Sequence, residues 1–145
     1  MEEHAKKRKF LIATHGTLSA GIKSSLEMII GAIENVFIIQ AYVNENVAIE
    51  SEIKEVLEQI TENDELVIFC DILGGSVTNQ ILQFALKPNV YIISGFNLPL
   101  VIEVILADTD TPVTEVITEA ITNAKEQMFY VNKLINAESK SPQHD

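Results

Sequence analysis

The chain of 145 residues has one cysteine, no tryptophan, and only 10 basic residues against 21 acidic ones. A single thiol, Cys70, excludes an internal disulfide and a zinc site built from several cysteines. No apolar run approaches the roughly 18 residues that a membrane span needs, and the richest stretch, Leu98 to Ala107, carries Glu103. These absences, with an N-terminus unlike a signal peptide, predict a cytoplasmic protein.

The charge of the chain is strongly acidic, with a net value of −11. Four of the basic residues are crowded into Lys6 to Lys9, a run that reads as a solvated end, so the remaining surface is poor in cations. Such a surface repels phosphate backbones, which predicts no nucleic-acid partner. It suits a basic protein partner, although acidity that only keeps a protein soluble is the commoner explanation.

Short apolar runs alternate with helical patterns along the chain, and each of four runs is followed by apolar residues at helical spacing. This order predicts an α/β fold with an open, doubly wound, mainly parallel four-stranded sheet and helices on both faces. The predicted strands are Phe10–Ala13, Val36–Tyr42, Leu66–Cys70 and Val90–Ser94, and the predicted helices are Ser19–Ile33, Ile49–Ile60, Ser76–Ala85, one from Leu98, and Val113–Glu126.

The patterning also predicts how the caps and the ends of the chain are organised. Ser76 and Asn97 are predicted N-caps of the third and fourth helices. The aromatic residues within Met128 to Val131 favour a last strand over an extension of the fifth helix. We expect a single domain over residues 9–136, with polar terminal segments at residues 1–8 and 137–145, the latter disordered.

One histidine and one aspartate follow two of the predicted strands. His15 is the only histidine outside the polar ends, because His4 and His144 lie in the terminal segments. It follows the first strand, and Asp71 follows the third. Strands one and three are commonly neighbours in doubly wound sheets, and ligands bind at the carboxyl ends of such strands. The two side chains are therefore expected to meet in one crevice.

Such a pair has a clear chemical use. A carboxylate that accepts a hydrogen bond from one ring nitrogen fixes the tautomer and leaves the lone pair of the other nitrogen free. Gly74, Gly75 and Ser76, at a predicted helix start, offer backbone N–H groups, a helix dipole and a hydroxyl to an anion. Together these features indicate phosphoryl transfer through a phosphohistidine, but they do not separate transfer from hydrolysis. Each feature alone is more often structural.

Other chemistry finds little support in the sequence. No phosphate-binding loop of the Walker type and no Gly-x-Gly-x-x-Gly motif is present, which argues against a nucleotide cofactor. Asp108 and Asp110 are better explained by a turn than by a metal site, because histidine and cysteine ligands are missing. Cys70 lies in an apolar strand and reads as a buried, inert thiol. We therefore expect neither a cofactor nor a metal.

Three motifs stand at three predicted strand ends: Ala13-Thr14-His15-Gly16, the run from Cys70 to Ser76, and Gly95-Phe96-Asn97-Leu98-Pro99. Together, in this order, they resemble the mannose-family IIA component of the bacterial sugar phosphotransferase system. The resemblance runs from about residue 9 to residue 134. It departs from the family pattern at Leu73, where an aromatic is frequent, and at Val77, where proline is frequent.

The resemblance implies a role for each motif residue. His15 would carry the phosphoryl group on Nε2, and Asp71 would bond its Nδ1. Ser76, with Gly74 and Gly75, would hold the phosphoryl group. The remaining residues implied to line the pocket are Thr14, Asn97, Leu98 and Pro99.

The resemblance also implies partners. The family takes its phosphoryl group from the histidine phosphocarrier protein and passes it to a IIB component, and it meets the membrane IIC and IID components only indirectly. Family members form homodimers by exchanging a last strand, which would correspond to Met128 to Leu134. With no linker or IIB domain after residue 137, the chain reads as a free-standing IIA.

Three alternatives remain open from the sequence. The first is the phosphocarrier subunit of the phosphotransferase-dependent dihydroxyacetone kinase, which has a similar fold and histidine. The second is a non-enzymatic module that senses a small anion in the same pocket. The third, a His/Asp hydrolase, is disfavoured because no second acid and no metal cluster is visible.

Overall fold

A computed structural model describes residues 7–140 of the chain, and side chains as far as residue 137. Strands and helices alternate through most of this range. The strands are β1 (Arg8–His15), β2 (Val36–Ala41), β3 (Glu65–Cys70) and β4 (Val90–Ser94). The helices are α1 (Leu18–Ile30), α2 (Ile49–Leu57), α3 (Ser76–Ala85), α4 (Leu98–Leu106), α5 (Val113–Lys125) and α6 (Val131–Lys140).

The four strands form one parallel sheet in the order β2-β1-β3-β4. The predicted four-stranded α/β sheet is confirmed, with β1 and β3 as central neighbours. In the register of this pair, Ala13 lies opposite Cys70. Because β3 ends at Cys70 and β1 continues to His15, the end of β1 projects beyond the end of β3.

Two apolar clusters cover the two faces of the sheet, as the prediction of helices on both faces requires. Along β1, Phe10 and Ile12 join the cluster that packs on α4 and α5, whereas Leu11 and Ala13 join the one that packs on α2 and α3. Successive side chains of a strand point to opposite faces, so a strand buried on both sides is apolar throughout. This is why the central parts of the two strands, residues 10–13 of β1 and 66–70 of β3, are continuous apolar runs in the sequence.

Several predicted helix boundaries shift by a few residues. α1 ends at Ile30 because Gly31, with φ of +88°, turns the chain and donates its N–H to the Glu27 carbonyl at 3.1 Å. The predicted cap Asn97 is confirmed, since its side chain accepts the Leu100 N–H at 3.0 Å. The predicted cap Ser76 is wrong: Gly75 occupies the cap position and Ser76 begins α3.

The prediction of a last strand over Met128 to Leu134 is wrong for the described chain. Residues 131–140 form helix α6, and no residue after β4 within residues 7–140 belongs to a strand. Val131, Leu134 and Ile135 recur at three- and four-residue spacing, so the helical period prevails over the strand preference of the preceding aromatics. The predicted polar segment at residues 137–145 continues this helix to residue 140, and its last five residues lie outside the described range.

The predicted N-terminal segment is also shorter than expected. Arg8, assigned to a polar end of residues 1–8, is the first residue of β1 and is buried. Its guanidinium pairs with Glu65 on the neighbouring strand at 3.2 Å. Residues 1–6 lie outside the described range.

Candidate functional site

The carboxyl edge of the sheet brings His15 and Asp71 into contact. The Asp71 Oδ2 atom accepts the His15 backbone N–H at 2.8 Å and lies 2.8 Å from the His15 ring Nδ1. One carboxylate oxygen thus holds both the backbone and the ring of the histidine. The contact arises because β1 projects past the end of β3, where Asp71 is the first residue after the strand.

This contact fixes the state of the imidazole. A carboxylate accepts hydrogen bonds only, so in the neutral imidazole Nδ1 carries the proton and the lone pair lies on Nε2. The His15 side chain is 40% exposed, whereas that of Asp71 is only 9% exposed. Nε2 therefore belongs to a partly exposed ring that is oriented by a largely buried carboxylate.

Asp71 is stabilised in its charged form. Burial raises the pKa of this carboxyl, but the hydrogen bonds from the His15 backbone and ring outweigh burial, and its pKa lies below the ordinary value. The second oxygen, Oδ1, accepts the Ile72 N–H at 2.9 Å. The carboxylate is thus held from three sides and remains anionic near neutral pH.

The glycines before α3 let the loop lie against the histidine ring. Gly74 has φ of +79°, a conformation that residues with a Cβ rarely adopt. A Cβ on Gly75 would lie 3.3 Å from the Ile72 carbonyl oxygen and 3.5 Å from Cε1 of His15. The N–H of Gly75 is already donated to the Ile72 carbonyl at 3.2 Å. An anion would therefore depend on the first-turn N–H groups of α3 rather than on that of Gly75.

Ser76 lies beside the free ring nitrogen. Its Oγ is 3.4 Å from Nε2 of His15, a long contact, and 2.6 Å from the hydroxyl oxygen of Tyr42. As the first residue of α3, Ser76 also stands at the positive end of the helix dipole. A hydroxyl, a helix N-terminus and a nucleophilic nitrogen meet at this point.

Tyr42 is a site residue that the sequence analysis missed. It directly follows β2, and its ring centroid lies 5.7 Å from that of His15. The predicted site residues follow strands one, three and four. The neighbouring end of strand two lies on the same edge, and including it would have drawn attention to the tyrosine.

Two of the other predicted pocket residues, Thr14 and Asn97, make hydrogen bonds that stabilise the local structure. Thr14 is buried, and its Oγ1 accepts the Ser19 N–H at 2.9 Å. Asn97 caps α4 and donates its Nδ2 to the Ala124 carbonyl at 3.0 Å. Within residues 7–137 neither side chain hydrogen-bonds to His15. Leu98 and Pro99 form the first turn of α4.

Cys70 and Asp108 match their predicted structural interpretations. Cys70 is buried, and burial raises the pKa of its thiol to about 11, so the thiolate is scarce at neutral pH. The Asp108 Oδ1 atom accepts the Asp110 N–H at 2.9 Å, as in a turn. No group of three or more His, Cys, Asp or Glu side chains suited to a metal ion occurs in the described part of the chain.

None of the helices within residues 7–140 combines the length and the apolar character that crossing a membrane requires.

Comparison with known proteins identifies the family. Residues 9–122 match the model of the EIIA-man family, described as the phosphotransferase system (PTS) fructose IIA component. A PTS fructose-specific EIIA component of Bacillus subtilis (strain 168) is 28% identical over 97 residues, 66% of this chain. The alignment spans 66% of that relative, just under two thirds of its length.

Two solved structures agree with this assignment. A Klebsiella pneumoniae protein assigned to a phosphoenolpyruvate-dependent sugar phosphotransferase system permease is 33% identical, with a TM-score of 0.85 and coverage of 93% of this chain and 98% of that one. The PTS IIA protein associated with the fucose utilization operon of Streptococcus pneumoniae is 26% identical, with a TM-score of 0.76 and coverage of 92% and 99%. The predicted resemblance is confirmed, and the chain belongs to the EIIA-man family of IIA components of the sugar phosphotransferase system.

Proposed function

We propose that this protein is a phosphocarrier that accepts a phosphoryl group on Nε2 of His15 from the histidine phosphocarrier protein and passes it to a IIB component. One observation carries the proposal: a single Asp71 oxygen lies 2.8 Å from both the backbone nitrogen and the ring Nδ1 of His15. The ring is thereby oriented with Nε2 as its nucleophile. We extend the proposal to a cytoplasmic location, as the sequence predicts.

Transfer of the phosphoryl group to His15 requires no external base. The phosphorus–nitrogen bond in the donor breaks as the bond to Nε2 of His15 forms, and the proton on Nδ1 stays in place. The ring gains positive charge as Nε2 attacks, and the adjacent Asp71 carboxylate stabilises that charge. Passing the group to IIB is the same step in reverse, with a new acceptor.

The transferred group carries negative charge, which the first turn of α3 is suited to stabilise. Its N–H groups and helix dipole favour an anion, and the Ser76 hydroxyl supplies a further donor. Gly75 lets this turn lie close to the ring, since a Cβ at that position would reach van der Waals contact with Cε1 of His15 and lie tightly, at 3.3 Å, against the Ile72 carbonyl oxygen. The glycines thus contribute by close approach, and the donors come from the helix start.

A rim of exposed apolar side chains around the site supports contact with a protein partner. Leu18 begins α1 after β1, Val43 follows the end of β2, and Ile72 and Leu73 follow β3; they are 49%, 53%, 57% and 80% exposed. Exposed apolar residues grouped around a functional group are typical of partner contact. Such a small rim favours the short-lived contact that a carrier needs.

The names of the relatives favour a sugar system over the dihydroxyacetone kinase subunit. The relatives differ in the sugar they name, fructose in one case and a fucose operon in another. We therefore assign no sugar to this chain, since the membrane components select it.

The proposal is tested by incubating the protein with phosphoenolpyruvate, enzyme I and the phosphocarrier protein of its source organism. We expect an acid-labile phosphate on the wild type and none on His15→Ala. His144→Ala, in the tail, is the matched control and keeps the label. An unlabelled wild type that still binds inorganic phosphate would indicate a sensing module, and label retained on His15→Ala would place the acceptor elsewhere. Adding the cognate IIB component is expected to remove the label.

A further inference from the structure

The end of β2 carries an unusual backbone conformation. Tyr42 has φ of +69°, and Asn35 is the only other non-glycine residue with positive φ within residues 7–140. Asparagine adopts this region with some ease, but for a bulky aromatic residue it is a genuine outlier. Such strain persists where surrounding contacts hold it, and it is frequent at functional sites.

The side chain of Tyr42 contacts two site residues, Ser76 and His15, and also Gln80. Its hydroxyl oxygen lies 2.6 Å from Ser76 Oγ and 3.5 Å from Gln80 Nε2, and its ring is tilted at 45° to the His15 ring. The residue is 54% exposed, so water could serve its hydroxyl equally well. The strained backbone instead holds the hydroxyl against Ser76.

Either hydroxyl can donate in the 2.6 Å contact between Tyr42 and Ser76, and the longer contact with Gln80 favours donation by Tyr42. The Gln80 Nε2 group can only donate, so the Tyr42 oxygen accepts from it and its own O–H is available to Ser76. With its oxygen accepting from Tyr42, the Ser76 hydroxyl directs its hydrogen elsewhere, and Nε2 of His15 lies 3.4 Å away. A phosphoryl oxygen on Nε2 would enter this region and accept that hydrogen.

We propose that Tyr42 is a positioning residue, which orients the Ser76 hydroxyl toward the phosphoryl group carried on His15. The inference rests on the proposed phosphocarrier function and adds a fourth side chain to the site. Tyr42 forms no bond to phosphorus. It acts through Ser76, and its hydroxyl strengthens the serine as a donor because chains of hydrogen bonds polarise one another.

The test compares Tyr42→Phe, Ser76→Ala and the double variant in single-turnover phosphorylation by the phosphorylated phosphocarrier protein. Losing one hydrogen bond of ordinary strength is expected to slow transfer to Tyr42→Phe by roughly 3- to 10-fold. If Tyr42 acts through Ser76, the double variant is no slower than Ser76→Ala alone. Tyr91→Phe, a half-buried tyrosine on β4, is the matched control and keeps the wild-type rate.

A second measurement separates positioning from a merely structural role. The phosphorus NMR shift of phosphorylated His15 is expected to move in Tyr42→Phe, because the donor to the phosphoryl group has changed, while the thermal midpoint stays near that of the wild type. A wild-type rate for Tyr42→Phe, or effects that multiply in the double variant, would overturn the inference. Both outcomes require a wild type that becomes labelled, so they are distinct from failure of the proposed function.

Discussion

Strands β1 and β3 have a carboxylate paired with a basic side chain at each of their ends. At the amino edge Arg8 pairs with Glu65 at 3.2 Å, and Lys9 pairs with Asp64 at 3.0 Å. At the carboxyl edge the His15 ring lies 2.8 Å from Asp71. The Arg8 side chain is 2% exposed, whereas that of His15 is 40% exposed.

At the amino edge, the donor groups of the pairs are occupied by hydrogen bonds within the protein. Beyond its contact with Glu65, the Arg8 guanidinium donates to the carbonyls of Asp108 at 3.3 Å and Thr111 at 2.8 Å. These bonds tie the loop between α4 and α5 to the sheet. At the other edge the imidazole keeps Nε2, with only a long contact to a serine hydroxyl. The carboxyl edge differs from the amino edge because one polar atom of its pair, Nε2, remains available to an incoming group.

Breaking the amino edge is expected to have the largest effect on folding. Arg8→Met leaves the Glu65 carboxylate and two carbonyls without their partner, which is expected to lower the free energy of unfolding by about 3–5 kcal/mol. Urea denaturation measures this loss. Phosphorylation of the folded fraction is expected to proceed at the wild-type rate, and a slower rate there would couple the two edges.

A change at the carboxyl edge is expected to affect phosphoryl transfer more than stability. Asp71→Asn removes a charge-assisted hydrogen bond worth about 1.5–3 kcal/mol, so transfer to His15 is expected to slow roughly 10- to 150-fold. Rapid-quench phosphorylation measures this rate. Asp64→Asn is the matched control at the amino edge, with normal transfer and lower stability. Equal transfer rates in the two variants would remove Asp71 from the mechanism.

Acid is expected to weaken both edges. Burial raises the pKa of Asp64 and Asp71, but hydrogen bonds outweigh it at both residues, with the charge of Lys9 adding to them at Asp64, and both pKa values are lowered. Each carboxylate thus contributes stability that is present above its unfolded pKa, about 3.9, and is lost as the pH falls through the lower folded value. Unfolding free energies between pH 7 and strong acid are expected to fall less steeply in Asp64→Asn and in Asp71→Asn. A slope unchanged from the wild type in both would contradict this expectation.

The smallest expected effect concerns the glycine against the ring. In Gly75→Ala the added methyl lies 3.5 Å from Cε1 of His15, with no positive φ to strain, so transfer is expected to slow only a few-fold. Gly21→Ala, on α1 with open space around it, is the control and is expected to stabilise the protein by roughly 0.5–1 kcal/mol without affecting transfer. Thermal denaturation and the transfer assay separate the two variants.

The sequence predicts the carboxyl edge far better than the amino edge. Apolar runs of strand length locate β1 and β3. Because the strands are parallel, the residues that follow them lie at the carboxyl edge of the sheet, independent of the loop conformations. Arg8 reads as part of a solvated charge run, because the carbonyls that bind it lie about a hundred residues further along the chain. The conformation of Tyr42 is equally hidden, since no local residue pattern marks a tyrosine with positive φ. Helix α6 shows that the helical spacing of apolar residues outweighs the β-propensity of the preceding aromatic residues over a short segment.

The projection of β1 beyond β3 links reactivity to strand alignment. The N–H of Gly16, directly after β1, bonds to the Ala41 carbonyl of β2 at 2.8 Å, whereas that of His15 faces the side where β3 has ended. The Asp71 side chain accepts this N–H and so adds one hydrogen bond to the ladder between β1 and β3. A slip of one residue between the strands would turn the imidazole to the opposite face. If His15 accepts a phosphoryl group as proposed, its phosphorylation would also report correct registry of the central strands during refolding.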